Sequence, residues 1–166
     1  MNFLIRSKEF KSHLLKRENI YLVAIIIATF FIDRFSKIVV INNYTDGVHR
    51  VNDFINFDLI WNIGIGFGFF STDSTIFYNL ISIIIGLVII ALFLVLLTAY
   101  RYEKFIYSII IGGALGNFYD RLVYNAVPDF IDLHYANFHW FTFNLADIFI
   151  SIGIIIFVIR SYLVKT

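Results

Sequence analysis

Asp129 and Asp147 are the two carboxylates whose neighbours in the chain best suit acid–base chemistry. Neither has a Lys or Arg nearby, whereas Asp33 has Lys37 and Asp120 has Arg121. Two carboxylates held close in a poorly hydrated site cannot both ionise easily, so one keeps a proton near neutral pH while the other serves as a base. Peptide hydrolysis needs that asymmetry. The ionised member deprotonates an attacking water and the protonated member donates to the carbonyl oxygen, with no covalent intermediate. Asn144, three residues before Asp147, is placed to cap a helix and hold that carboxylate in the first turn.

The remaining ionisable residues each allow a structural reading. Asp33 and Lys37 are spaced i and i+4, so they share a helix face and can neutralise one another as a brace or contact a substrate. Ser36 beside Lys37 raises a serine–lysine dyad, which adjacent helical positions disfavour because they do not face each other. Gly112-Gly-Ala-Leu-Gly-Asn117 has small residues at i and i+4, the pattern of close helix packing in membranes, and it leads into Asn117, Asp120 and Arg121. Asn62 with Gly64, Gly66 and Gly68 allows either tight turns or close approach to a ligand. Phe69 rules out a dinucleotide fingerprint. A metal site built from Asp129, Asp132, His134 and His139 is the chemical rival. Its His-x4-His spacing is not the helical i, i+4 arrangement of zinc peptidases, so no metal is expected in the reaction.

The elements that must carry these groups follow from composition. Of 166 residues, 60% are hydrophobic, 19% aromatic and only 15% charged, and the mean hydropathy of +0.81 places the chain in a bilayer. There is no cysteine, which excludes disulfides, thiolate nucleophiles and cysteine-ligated zinc. The net charge of +1 gives no reason to expect nucleic-acid binding.

Four apolar stretches, about 21–41, 75–100, 105–122 and 144–164, approach the roughly 20 residues needed to span hydrocarbon. A basic leader precedes the first, but charges rather than a small-residue cleavage site follow Ile32, so a retained helix is expected. Lys and Arg concentrate before Tyr21, at Arg101 and Lys104, and at Arg160 and Lys165, which predicts cytoplasmic termini. The connections 42–74 and 123–143 then face outward. Ile55-Asn-Phe-Asp-Leu59 alternates at the period of a strand, and the second connection mixes Asp129, Asp132, His134, His139 and Trp140 with apolar residues as at a headgroup layer.

With this topology Asp33, Lys37, Asp120, Arg121, Asp129 and Asp147 come from separate segments to one depth. A lone charge inside a span costs about 2.5–3.5 kcal/mol on insertion scales, so the collection needs mutual pairing or a function. A proton-coupled transporter could use such a cluster. It would also need a path to the cytoplasmic face, yet the inner halves of the last three helices carry almost no polar side chains. A purely structural role would leave Asp129 and Asp147 uncompensated.

Five ordered blocks through nearly the whole chain resemble the lipoprotein signal peptidase (signal peptidase II) family of bacterial membrane aspartic peptidases. They are Asp33-Arg-Phe-Ser-Lys37, Asn62-Ile-Gly-Ile-Gly-Phe67, Gly112-Gly-Ala-Leu-Gly-Asn-Phe-Tyr-Asp-Arg121, Val127-Pro-Asp-Phe-Ile-Asp132 and Phe143-Asn-Leu-Ala-Asp147. The resemblance implies that Asp129 and Asp147 are the catalytic dyad. It also implies that Asp33, Lys37, Asn62, Gly64, Asn117, Asp120, Arg121 and Asn144 support that dyad or bind substrate. The implied substrate is a prolipoprotein cut on the amino side of its diacylglyceryl-modified lipobox cysteine, without metal or organic cofactor. The implied protein is an all-α, four-helix, multi-pass protein of the bacterial inner membrane, with a small β platform and a short amphipathic segment on its outer face; membrane lipids are its expected surroundings and a monomer its expected state. Ile65, Gly66 and Pro128 depart from the usual pattern in shape rather than charge, and Pro128 biases Val127 toward an extended conformation.

Overall fold

A computed structural model describes residues 17–64, 75–136 and 138–163. The basic positions before Arg17, together with Ile65, Gly66, Gly68 and Lys165, lie outside the described residues. Four helices run through the chain: α1 (Arg17–Asn43), α2 (Thr75–Thr98), α3 (Arg101–Tyr124) and α4 (Leu145–Leu163). Four strands, β1 (His49–Arg50), β2 (Ile55–Asn62), β3 (Val127–Tyr135) and β4 (Phe138–Phe143), form one antiparallel sheet in the order β1-β2-β3-β4.

The burial pattern is the reverse of a water-soluble bundle. Phe31, Phe35, Ile83, Leu87, Ile90 and Ile155 are exposed on the helices, while Asp33, Lys37, Asp120 and Asn144 are wholly buried. Lipid makes the first arrangement favourable, and the second requires that each buried charge find partners within the protein. Tyr78–Thr98 and Leu145–Leu163 are long and apolar enough to cross a membrane. α1 and α3 have 27 and 24 residues but carry charged positions.

Helix α3 packs against each of the other three helices. Its small residues permit that approach. A Cβ on Gly112 would collide with Thr29 and the Ile26 carbonyl of α1, and one on Gly113 would lie 2.8 Å from the Ala146 carbonyl of α4. A Cβ on Gly116 would meet the Asp33 carboxylate. The glycine pattern thus serves close packing, and at Gly116 it makes room for a charged side chain.

Both long connections supply strands, so the protein is a bundle of four helices carrying the small β platform that the resemblance implies. No separate amphipathic helix occurs among the described residues. The mixed segment 123–143 instead forms β3 and β4, where its aromatic and β-branched residues are at home. β2 pairs with β3 through Asn56↔Asp132, Ile60↔Asp129 and Asn62↔Val127, with an irregularity between Phe57 and Ile60. β4 pairs with β3 from Ile131 onward, so Pro128 lies where β3 has a strand neighbour on one side only, a position that tolerates a missing N–H.

Two junctions fix the sheet to the bundle. Asn125 ends α3 in the left-handed conformation at φ 54°, turning the chain into β3 within two residues. At the other end β4 stops at Phe143, and Asn144 leads directly into α4.

Candidate functional site

Asp129, early in β3, is 2% exposed. Its Oδ2 accepts from Asn62 Nδ2 at 2.8 Å and its Oδ1 from Asn144 Nδ2 at 2.5 Å. Asp147 lies in the first turn of α4, where its Oδ1 accepts from Asn117 Nδ2 at 2.8 Å and its Oδ2 from the Asn144 backbone N–H at 3.3 Å. In return the Asp147 N–H donates to Asn144 Oδ1 at 3.1 Å. Asn144 and Asp147 therefore form a reciprocal cap of the helix, and the same asparagine reaches across to Asp129.

Burial, followed by the negative charge of Asp147, pushes the Asp129 carboxyl up from its ordinary 3.8 to about 7. The amide donors Asn62 and Asn144 act in the opposite direction.

A layer of buried ion pairs supports these groups from the bundle side. Lys37 Nζ donates to Asp33 Oδ2 at 2.7 Å and to Asn117 Oδ1 at 2.8 Å, and lies 2.7 Å from Asp120 Oδ2. The ammonium thus makes two hydrogen bonds and a further ion pair with a second carboxylate. Asp33 Oδ1 in turn accepts the Ala146 N–H of α4 at 2.9 Å, so a side chain of α1 satisfies one of the free donors at that helix end. Asn117 is the link between the layers, accepting from Lys37 and donating to Asp147.

The i, i+4 pair of Asp33 and Lys37 is present as their spacing predicts. The sequence pairing of Asp120 with Arg121 is not. Asp120 is bound by Arg34 and Lys37 of α1, while Arg121 Nη2 donates to the Gly64 carbonyl at 2.8 Å and its Nη1 to the Asn117 carbonyl at 3.3 Å. Adjacent helix positions point about 100° apart, so Asp120 turns toward α1 while Arg121 reaches the loop after β2. Arg34 was missed as a partner. Its i, i+3 spacing from Lys37 was the available signal, since it places both cations on one face. The Arg34 guanidinium also lies 4.6 Å from the centre of the Tyr119 ring.

Gly64 is buried, and its N–H donates to Asn62 Oδ1 at 2.8 Å, tying the start of the glycine block to the asparagine that holds Asp129. Ser36 Oγ donates to the Asp33 carbonyl at 2.7 Å, an ordinary intrahelical bond. The four-residue metal set does not assemble as a unit. The extra residues at the two register irregularities belong to β2 and β4, so β3 keeps its period of two and sends Asp129 to one face and Asp132 and His134 to the other.

Asn62, Asn117, Arg121, Asp129 and Asp147 line a cavity of about 300 Å3 whose other walls are Ile85, Ala114, Val127, Ile150, Ser151 and Ile154. Carboxylates, amides and a guanidinium thus share a pocket whose other walls are apolar except for Ser151, the usual build of a small-substrate site. A larger cavity of about 510 Å3, lined by Tyr21, Leu22, Ile25, Arg101, Tyr102, Lys104 and Phe105, contains no carboxylate or amide side chain that could activate water. Chemistry, not size, decides between them.

An apolar-surfaced bundle that encloses carboxylates and amides beneath a sheet is the construction of a membrane-embedded enzyme. Comparison with known proteins narrows that class. The family model for signal peptidase (SPase) II matches residues 25–163. The lipoprotein signal peptidase of Pelagibacter ubique is 48% identical over 141 residues, covering 82% of this chain and 85% of that protein. The lipoprotein signal peptidase of Thermodesulfovibrio yellowstonii is 42% identical over 131 residues, covering 78% and 86%. A bacterial membrane enzyme solved by the in meso method at 2.3 Å superposes with a TM-score of 0.74 at 27% identity, over 88% of this chain and 90% of its own. The chain belongs to the signal peptidase II family, and is thereby a protease of the membrane.

Proposed function

We propose that this protein is an aspartic endopeptidase that removes signal peptides from prolipoproteins, cutting on the amino side of the diacylglyceryl-modified lipobox cysteine. The observation that carries the reading is that Asp129 and Asp147 line one cavity and are both held by Asn144. Near neutral pH the pair shares one proton, which we assign to Asp129, the carboxyl raised to about 7. Asp147 takes a proton from water as it attacks the scissile carbonyl, and Asp129 donates to the carbonyl oxygen. When the tetrahedral intermediate collapses, the C–N bond breaks and the leaving amine takes a proton from Asp147. The shed peptide carries the new carboxylate, and the dyad recovers its single proton. No step calls for a metal or an organic cofactor.

Asp33, Lys37, Asp120, Arg121, Asn117, Asn62, Gly64 and Asn144 orient the dyad or the substrate backbone. Ile85, Val127, Ile150 and Ile154 offer apolar wall to lipid chains and to the signal peptide. In this reading all four helices span the bacterial inner membrane, with both termini cytoplasmic and the sheet and dyad near the outer face. Helix lengths of 19–27 residues support it, since about 20 suffice to cross hydrocarbon. So does the placing of Arg101, Lys104 and Arg160 at the helix ends remote from the sheet. One chain supplies the whole site, so the monomer is the active unit.

Mass spectrometry of a cleaved diacylglyceryl-prolipoprotein tests the substrate. The released peptide is expected to end at the residue before the lipidated cysteine, with no cleavage of the unlipidated precursor. Equal cutting of both precursors overturns the lipid requirement.

A further inference from the structure

On the face of β3 turned away from Asp129, three metal-ligating side chains meet. Asp132 and His134 are successive positions on that face, and His139 of β4 is the direct strand partner of His134. Their ligand atoms all lie within 4.8 Å of one another. Asp132 Oδ2 is 2.8 Å from His139 Nδ1 and 3.8 Å from His134 Nδ1. The two imidazoles stack at 5.2 Å with their planes 20° apart. Asn56 Nδ2, from β2, donates to Asp132 Oδ2 at 3.1 Å and so fixes the carboxylate.

His134 is the telling member. It is 8% exposed, and its Nδ1 is buried without a hydrogen-bond partner. An imidazole nitrogen buried in this way loses its hydration unless something else binds there. At 3.8 Å from Asp132 Oδ2 the His134 nitrogen is near enough for charge pairing but beyond hydrogen-bond reach, so the carboxylate alone does not satisfy it.

We propose that Asp132, His134 and His139 bind one borderline divalent cation, with Zn2+ as the fitting ion. Two imidazoles and a carboxylate, with a fourth position open to water, are a known zinc donor set. Ligand atoms around a tetrahedral zinc stand roughly 3.3 Å apart, between the two distances found here, so small side-chain rotations suffice. His139 is more than half exposed and gives the ion its entry path. The ion would clamp β4 to β3 just before the chain enters Asn144 and α4. It takes no part in hydrolysis, because Asp129 faces the other side of the sheet.

The test uses the full chain without a polyhistidine tag, purified in detergent, with Zn2+ alone as the probe in competition with a chromophoric chelator. Wild type is expected to bind a single equivalent at micromolar or tighter affinity and to melt at a higher temperature with zinc than without it. His139→Ala, at an exposed position, is expected to keep its zinc-free melting temperature, lose the zinc-dependent rise, and bind at least about 100-fold more weakly. Asn56→Ala weakens binding about 10- to 100-fold, as loss of a group orienting a ligand does. His49→Ala, outside the cluster, binds as wild type does. Undiminished zinc affinity in His139→Ala, or no wild-type binding below millimolar zinc, overturns the proposal. Zinc binding and prolipoprotein cleavage are read separately, so failure of one leaves the other standing.

Discussion

The side-chain amide of Asn144 donates to Asp129 at 2.5 Å. That contact joins the sheet to the bundle, because the same residue caps α4 and exchanges two hydrogen bonds with Asp147. A strand carboxylate and a helix carboxylate are thereby held in one frame, although 18 positions separate them in the chain.

Replacing Asn144 separates its two tasks. Asn144→Ala is expected to lower stability by about 1 kcal/mol through the lost cap. It should also reduce turnover about 100-fold by misplacing the carboxylates. Asn144→Asp restores the cap, since Asp is as good there as Asn, but cannot donate to Asp129 and adds a like charge. Thermal melting together with kcat for the two variants checks this: stability should return in Asn144→Asp while turnover does not.

Lys37 balances two buried carboxylates. Lys37→Met is expected to destabilise the protein by about 3–5 kcal/mol, because it removes the ion-pair partner of Asp33 and leaves Asp120 paired with Arg34 alone. Adding Asp33→Asn to that variant should recover part of the loss. Melting temperatures of the single and double variants in the same detergent decide it, and an equally unstable double variant would contradict the pairing.

At Gly116 the side-chain hydrogen is a requirement of the site. Gly116→Ala drives a methyl group into the Asp33 carboxylate and is expected to cost about 1–3 kcal/mol. The displaced Asp33 also loses its hold on the Ala146 N–H, so turnover should fall with the melting temperature.

The raised Asp129 carboxyl predicts a pH dependence of known sign. Below about 7 the group is protonated and ready to donate, so kcat/KM is expected to fall as pH rises through that value. Asn62→Ala removes a donor that favours the charged form and should move this alkaline limb upward. Because the folded value lies above 3.8, the stability linked to this group is complete below 3.8 and is lost as pH rises through about 7. Asp129→Asn should therefore be more stable than wild type by a few kcal/mol at pH 8 and equal to it near pH 4, as judged by thermal melting.

What the sequence discloses depends on the range over which each interaction acts. Asp33 with Lys37, and Asn144 with Asp147, are helix-local, and the rules for i, i+4 and for capping suffice to find them. The glycines at 112 and 116 likewise announce a close helix contact, though not that one of them faces a carboxylate. Which cation serves Asp120 is decided by the packing of α1 on α3, and chain adjacency points to the wrong residue, Arg121. Composition suggests a headgroup layer for the second connection but does not disclose its conformation, which its pairing with β2 makes strand. That pairing also determines that Asp132 faces away from Asp129, which no count along the chain discloses before the strand is known.

The most direct test of the central claim is cleavage of a diacylglyceryl-modified prolipoprotein by the purified protein, beside Asp129→Asn and Asp147→Asn, with and without a metal chelator. The aspartic mechanism predicts chelator-resistant cleavage by wild type and a loss of at least about 1,000-fold in each variant, with folding retained. Wild-type turnover in either variant, or cleavage abolished by the chelator, would contradict it.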